Sequence, residues 1–275
     1  MRCSNRSDGT RAVALDEAFD DGRRLRIHDP LVRAIIRAPM TSLVRRIAQV
    51  AVVAQIVFVA SFLIAATWQG PRYDAMTQSM SDMYAVTAPK GLFLVVSFTL
   101  CGVATVLFAG LAVWPALRRA GWPAAVGSSL LALSIAGMGD VLSPFERLAC
   151  RMADPGCTYA AQAANAGGAL DNNYSFFGIL LFAIAPFFVA EAFRRLPEWK
   201  ALAWPARFAG FIFIALFVID TIVYAMNGPQ GLFERLLATW SAITIGVFAW
   251  RLSMAPAGVA AISAEARETS SAPGS

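Results

Sequence analysis

The sequence predicts an all-α fold, a polytopic membrane bundle of six transmembrane helices with both termini cytoplasmic. Three observations predict it. Hydrophobic residues make up 57% of the chain and charged residues only 15%, a balance unlike that of soluble domains. Six apolar runs are each long enough to cross a bilayer, which takes about 20 residues. The cationic residues between those runs fall unequally on the two sides. The expected organisation is a cytoplasmic polar tail with a basic juxtamembrane helix (1–46), a six-helix domain (47–252) and a disordered cytoplasmic tail (253–275).

The N-terminal 46 residues are polar and Arg-rich and contain no short apolar stretch before a small-residue cleavage site, so no cleavable signal is expected. Residues 1–30 lack an apolar period and read as disordered. Residues 31–46, LVRAIIRAPMTSLVRR, alternate apolar and basic residues at helical spacing. They suit either a juxtamembrane helix on anionic lipid or a positive topology marker.

The spans fall near 47–68, 91–115, 122–143, 174–194, 203–226 and 231–252. With the N-terminus inside, the outer segments hold only Arg72, Lys90, Arg147, Arg151 and Arg235 of the 23 Lys and Arg. All the rest fall inside, which fixes the expected orientation in the cell membrane. Trp114, Trp122, Trp199, Trp204 and Trp250 then lie at the inner interface, and Trp68, Tyr174 and Tyr224 at the outer one.

In the third run Ala124, Ser128, Ala132, Ala136 and Asp140 recur every four residues, a stripe that turns toward protein because small residues let helices approach closely. The second run has a comparable stripe of Ser97, Cys101, Thr105 and Ala109. In the fifth, Asp220, Tyr224 and Asn227 share a face. Pro186 marks an expected kink in the fourth, and Glu191 at its inner end should pair with Arg194 or Arg195.

Two outer loops carry further signals. In residues 71–90, Met76, Met80 and Met83 are spaced as one face of a short interfacial helix capping the bundle, or else belong to an ordinary loop. In 144–172, Cys150 and Cys157 are candidates for a disulfide on the oxidising side, with unlinked thiols the alternative.

A carboxylate inside a span is costly and calls for a partner, a proton or a purpose. The outer-half residues Asp82, Asp140, Asn172, Asn173, Asp220, Tyr224, Glu234 and Arg235 are the candidates for a ligand or ion pocket. The alternative is local pairing, Asp220 with Arg235 or Glu234 with Arg147. The functional expectation is lipid-headgroup or small-molecule binding in that pocket. A proton- or cation-coupled transporter and a carboxylate-based hydrolase are the alternatives.

Several classes are excluded. The only histidine is His28, so the bundle has no His-based zinc centre, His general base or haem ligation. No Gly-rich phosphate loop is present, and Lys90 and Lys200 lie at span ends, unsuited to a retinal Schiff base. No metal and no cofactor is expected. The expected partners are the lipid bilayer and anionic lipid at the N-terminal basic segment. No recognition motif for nucleic acid accompanies the net charge of +5, and no protein partner is indicated.

The stretch YDAMTQSMSD (73–82), the third run ending GMGDVLSPFE (137–146), and the later Asp154-Pro155-Gly156-Cys157 resemble a prokaryotic membrane family catalogued as domain of unknown function 998. Ser81 and Asp82 match that family's motif after the first helix, while Met83 and Tyr84 depart from it. The resemblance covers roughly 47–252 and implies six helices but no established activity. Where relatives commonly carry a His at the start of the fourth helix, Asn172 and Asn173 stand here.

Overall fold

A computed structural model describes residues 30–226 and 228–255, and at 30–41 the backbone alone. The described residues hold six helices long and apolar enough to cross a membrane. They are α1 (Ser42–Ala66), α2 (Gly91–Ala120), α3 (Trp122–Leu142), α4 (Ala166–Arg195), α5 (Lys200–Ala225) and α6 (Gln230–Met254). No strand occurs among the described residues. The backbone of α1 belongs to a longer helix, Pro30–Ala66. The lipid contact expected of residues 31–46 depends largely on side chains outside the described ones, as do both tails expected to be disordered.

The chain order places helix ends at two levels. One, the loop end, gathers 67–90, 143–165 and 226–229. The other, the basic end, gathers Arg118, Arg119, Arg194, Arg195, Lys200, Arg207 and Arg251. Arg45 Nε donates to the Ser253 carbonyl (3.0 Å), so the first and last helices meet at the basic end.

The helices turn one face toward their neighbours and another outward. In α2, Phe98, Cys101, Thr105 and Phe108 are buried, whereas Leu92, Val96, Leu100 and Leu107 face out. That arrangement suits lipid, where apolar surface gains little by burial and close packing does the holding. The α3 stripe turns inward as its spacing predicts, with Ala124, Ser128, Ala136 and Asp140 buried. At Gly102 a Cβ would lie 2.6 Å from the Val141 nitrogen and 2.7 Å from the Asp140 Cβ, so only glycine lets α2 and α3 touch there.

α3 is not continuous. Its α-helical part ends at Leu133, Ser134 is extended (ψ 173°), and a wide π-turn, Ile135–Gly139, resumes the span. The break is repaired locally: Tyr174 OH donates to the Leu133 carbonyl (2.8 Å) and Ser134 Oγ to that of Leu131 (2.8 Å). Such partners are required where backbone polar groups lie at membrane depth.

Two expectations are corrected here. The 71–90 segment is not an amphipathic cap: it is a chain of turns with one 3₁₀ turn, Ser81–Tyr84. Asp74 accepts from the Met76 amide and the Thr77 hydroxyl (both 2.9 Å), and its carbonyl from the Gln78 amide (2.9 Å), which closes a single turn. Met80 and Met83 are buried but Met76 is half exposed. The fourth helix starts at Ala166 rather than near 174, capped by Asn165, whose side chain accepts from the Gly168 amide.

Candidate functional site

A cavity of about 130 Å³ opens at the loop-end centre of the bundle, and all six helices line it. Phe58, Phe98 and Phe213 come from α1, α2 and α5; Ile135 to Asp140 of the broken α3 supply one wall, and Ser175 of α4 another. Four carboxylates face it: Asp140, Glu146, Asp220 and Glu234.

These groups have few partners. Glu234 Oε2 accepts from the Met80 amide (2.9 Å). Glu146 Oε1 and Asp220 Oδ1 are buried with no hydrogen-bond partner among the described residues. Among those residues, none of the four pairs with a Lys or Arg. Burial pushes the Glu146 carboxyl up to about 8, with Asp171 adding to the rise, so it holds a proton at neutral pH.

Arg235 and Arg147, expected in the pairing alternative to hold Asp220 and Glu234, bond elsewhere, which corrects that alternative. Arg235 turns to the 71–90 loop, donating from Nη1 to the carbonyls of Ala75 (2.7 Å) and Gln78 (3.0 Å) and from Nη2 to the Tyr73 hydroxyl. Arg147 donates to the Tyr84 and Ala85 carbonyls, both at 2.9 Å. A guanidinium presents several donors in a fixed fork, which suits it to clamping turn carbonyls. Glu191 does pair with Arg194 and Arg195, at 2.8 and 3.0 Å.

The remaining candidates separate. Asp82 is fully buried in the loop layer, where Oδ1 accepts from the Met152 amide (2.9 Å) and Gln162 Nε2 (2.7 Å). Burial raises its carboxyl above the ordinary range, and hydrogen bonds from the Met152 and Ser79 backbone and the Gln162 side chain pull it part of the way back. Asn172 and Asn173 are exposed, as is Tyr224, whose ring meets Tyr159 edge-on. Asn227 lies outside the described residues.

One residue before Asn172, Asp171 is buried and accepts from Ser81 Oγ and Tyr84 OH, both at 3.1 Å. The fully buried Tyr84 hydroxyl is raised by desolvation and by Asp171, which keeps it a donor. Glu146 and Asp171 were the members that sequence reading missed. The available signals were the closing Glu of GMGDVLSPFE and the Asn165 cap that draws Asp171 into a helix.

The loop layer closes over this cluster. Cys150 and Cys157 are joined in a disulfide. Between them Arg151 bonds Asp154 (2.7 Å) and the Gln69 carbonyl (2.9 Å). Burial alone would raise Asp154, but hydrogen bonds from Arg151 and Thr87 hold it below the usual carboxylate range. The cavity carboxylates are spread around its wall: among the described residues, no three His, Cys, Asp or Glu side chains are grouped to hold a metal ion.

Comparison of the chain with protein-family models, with curated proteins and with solved structures finds no match.

Proposed function

We propose that the protein binds a small, positively charged group, a free amine or a lipid headgroup, in the loop-end cavity. The carrying observation is that four carboxylates line one cavity and none has a Lys or Arg partner among the described residues. Buried carboxylates without a counter-charge either hold protons or take a cation, and an acidic cavity is suited to both. The break in α3 adds to the attraction, because the helix Trp122–Leu133 turns the negative end of its dipole toward the cavity wall at Ile135. The small volume fits a headgroup or compact amine rather than a drug-sized ligand, which fills about 300 Å³ or more. On the positive-inside bias, the basic end is cytoplasmic and the cavity lies in the outer half of a cell membrane, as in a bacterial inner membrane.

The test is thermal unfolding in nanodiscs with ethanolamine, choline or putrescine. A cation binding the folded state at 100 times its Kd adds about 2.7 kcal/mol. Stabilisation by at least one probe, lost in Asp220→Asn and in Glu234→Gln, is the expected result. No stabilisation by any probe, or equal stabilisation in both variants, overturns the reading.

A second reading, a proton- or cation-coupled transporter, is favoured by the same α3 break, since discontinuous helices beside the binding site are a feature of carriers. It expects pH-dependent uptake of one of these cations into proteoliposomes, abolished by Asp220→Asn.

A further inference from the structure

At the other end of the bundle lies a second cavity, of about 300 Å³, between α4, α5 and α6. Its floor is Phe182, Pro186, Val189 and Phe193 of α4; its walls are Ala206 and Ala209 of α5 and Ile243 and Val247 of α6. Ile243, Val247 and, on α5, Phe208 are about half exposed, so the slot opens sideways, toward where acyl chains lie. Trp240 Nε1 donates to the Ala209 carbonyl (3.0 Å) and ties α5 to α6 near mid-membrane, at one end of the slot. Arg251 stands at the other end.

We propose that this slot holds one acyl chain of an anionic phospholipid from the leaflet at the basic end, with its phosphate on Arg251. Length supports a single leaflet: from Trp240 to Arg251 a helix rises about 16 Å at ~1.5 Å per residue, about half of a ~30 Å hydrocarbon core. Charge supports an anionic headgroup. Arg251 is exposed and has no acidic partner among the described residues. Lys200 belongs to the same end, and no acidic residue lines the slot. A guanidinium binds phosphate through two parallel hydrogen bonds, whereas a neutral chain end would leave it with water. The slot is separate from the acidic cavity; of the residues named for its floor and walls, none lines both.

The test uses the full chain in detergent, exposed to vesicles of equal phosphatidylcholine and phosphatidylglycerol, repurified, and its retained lipid measured by mass spectrometry. Phosphatidylglycerol should be enriched about fivefold, the equivalent of the ~1 kcal/mol that one cation contributes near an anionic surface. Arg251→Gln should retain lipid but lose the enrichment, and the enrichment should weaken at high salt. Ala206→Phe, which fills the slot, should reduce the lipid retained. Retained lipid matching the vesicles in the wild-type protein, enrichment unchanged in Arg251→Gln, or a free fatty acid in place of phospholipid would overturn the proposal. Arg251 is exposed, so its variant reports even where Ala206→Phe does not fold.

Discussion

The two ends of the bundle solve opposite problems. At the loop end, six helices and two loops surround a polar cavity whose carboxylates lack counter-charges. At the basic end, three helices flank a larger, apolar slot that opens sideways. The difference follows from what lies beyond each wall. Lipid can fill an apolar gap, so helices there need not close. It cannot solvate a carboxylate, so polar groups must be enclosed by protein on every side. The loop end is therefore held by directed hydrogen bonds from Arg147, Arg151 and Arg235, and the basic end by shape. Charge at that end, as in the Glu191 cluster, is largely surface-exposed, where ion pairs are worth little.

The sharpest break of this contrast is a pair of glycine substitutions in α2. Gly102→Leu forces a side chain onto Asp140 and the Val141 backbone, so the loop end should lose more than the ~1–3 kcal/mol of ordinary overpacking. Gly110→Leu, toward the basic end, meets nothing within 4 Å and should fold within about 1 kcal/mol of the parent. Size-exclusion profile and thermal unfolding distinguish them; equal damage would show that the two ends are packed alike.

Next in size is the disulfide. Replacing Cys150 and Cys157 by serine releases a short loop whose closure is worth about 2–3 kcal/mol. Thermal unfolding should fall by that amount, while lipid retention at the basic end stays unchanged. A parallel loss of retained lipid would mean that the ends are coupled.

A separate prediction is a pH slope. Glu146 has an ordinary value of 4.5 and is held at about 8 in the folded protein. The folded state then binds its proton more tightly than the unfolded chain does. The resulting stability is fully present below about pH 4.5, declines as pH rises, and is gone above about 8. Unfolding temperature should fall from pH 5 to pH 8, each kcal/mol amounting to about 2–4 °C in a chain of this size. Glu146→Gln should flatten the slope without removing it, because Asp82 is raised by burial in the same sense. A slope unchanged by Glu146→Gln would assign it to other groups.

The six spans were legible because length and hydropathy act locally, and the inward stripe of α3 because small residues repeat at helical spacing. What escaped the sequence depends on chain brought back from elsewhere. The first turns of α4 are polar and give no hydropathy signal; they form because Asn165 caps them and Gly167 and Gly168 pass close to the carbonyls of Arg147 and Gln162. Reading that helix as starting late put Asn172 at the site, where the fold buries Asp171 instead. Glu146 reads as a loop residue, and its burial depends on helices and the 71–90 segment brought together around one cavity. The break at Ser134 has no proline to announce it, and its repair comes from Tyr174, which reads as an interfacial aromatic.

The contact between Arg45 and Ser253 brings the two ends of the helical domain together. Connectivity is thereby separable from architecture. A circular permutant joined from Met254 to Ser42 by a short linker and opened in the turn at Leu196–Trp199 would keep all six helices as neighbours. Reporter domains fused at those two original ends would lie side by side, close enough for energy transfer between fluorophores.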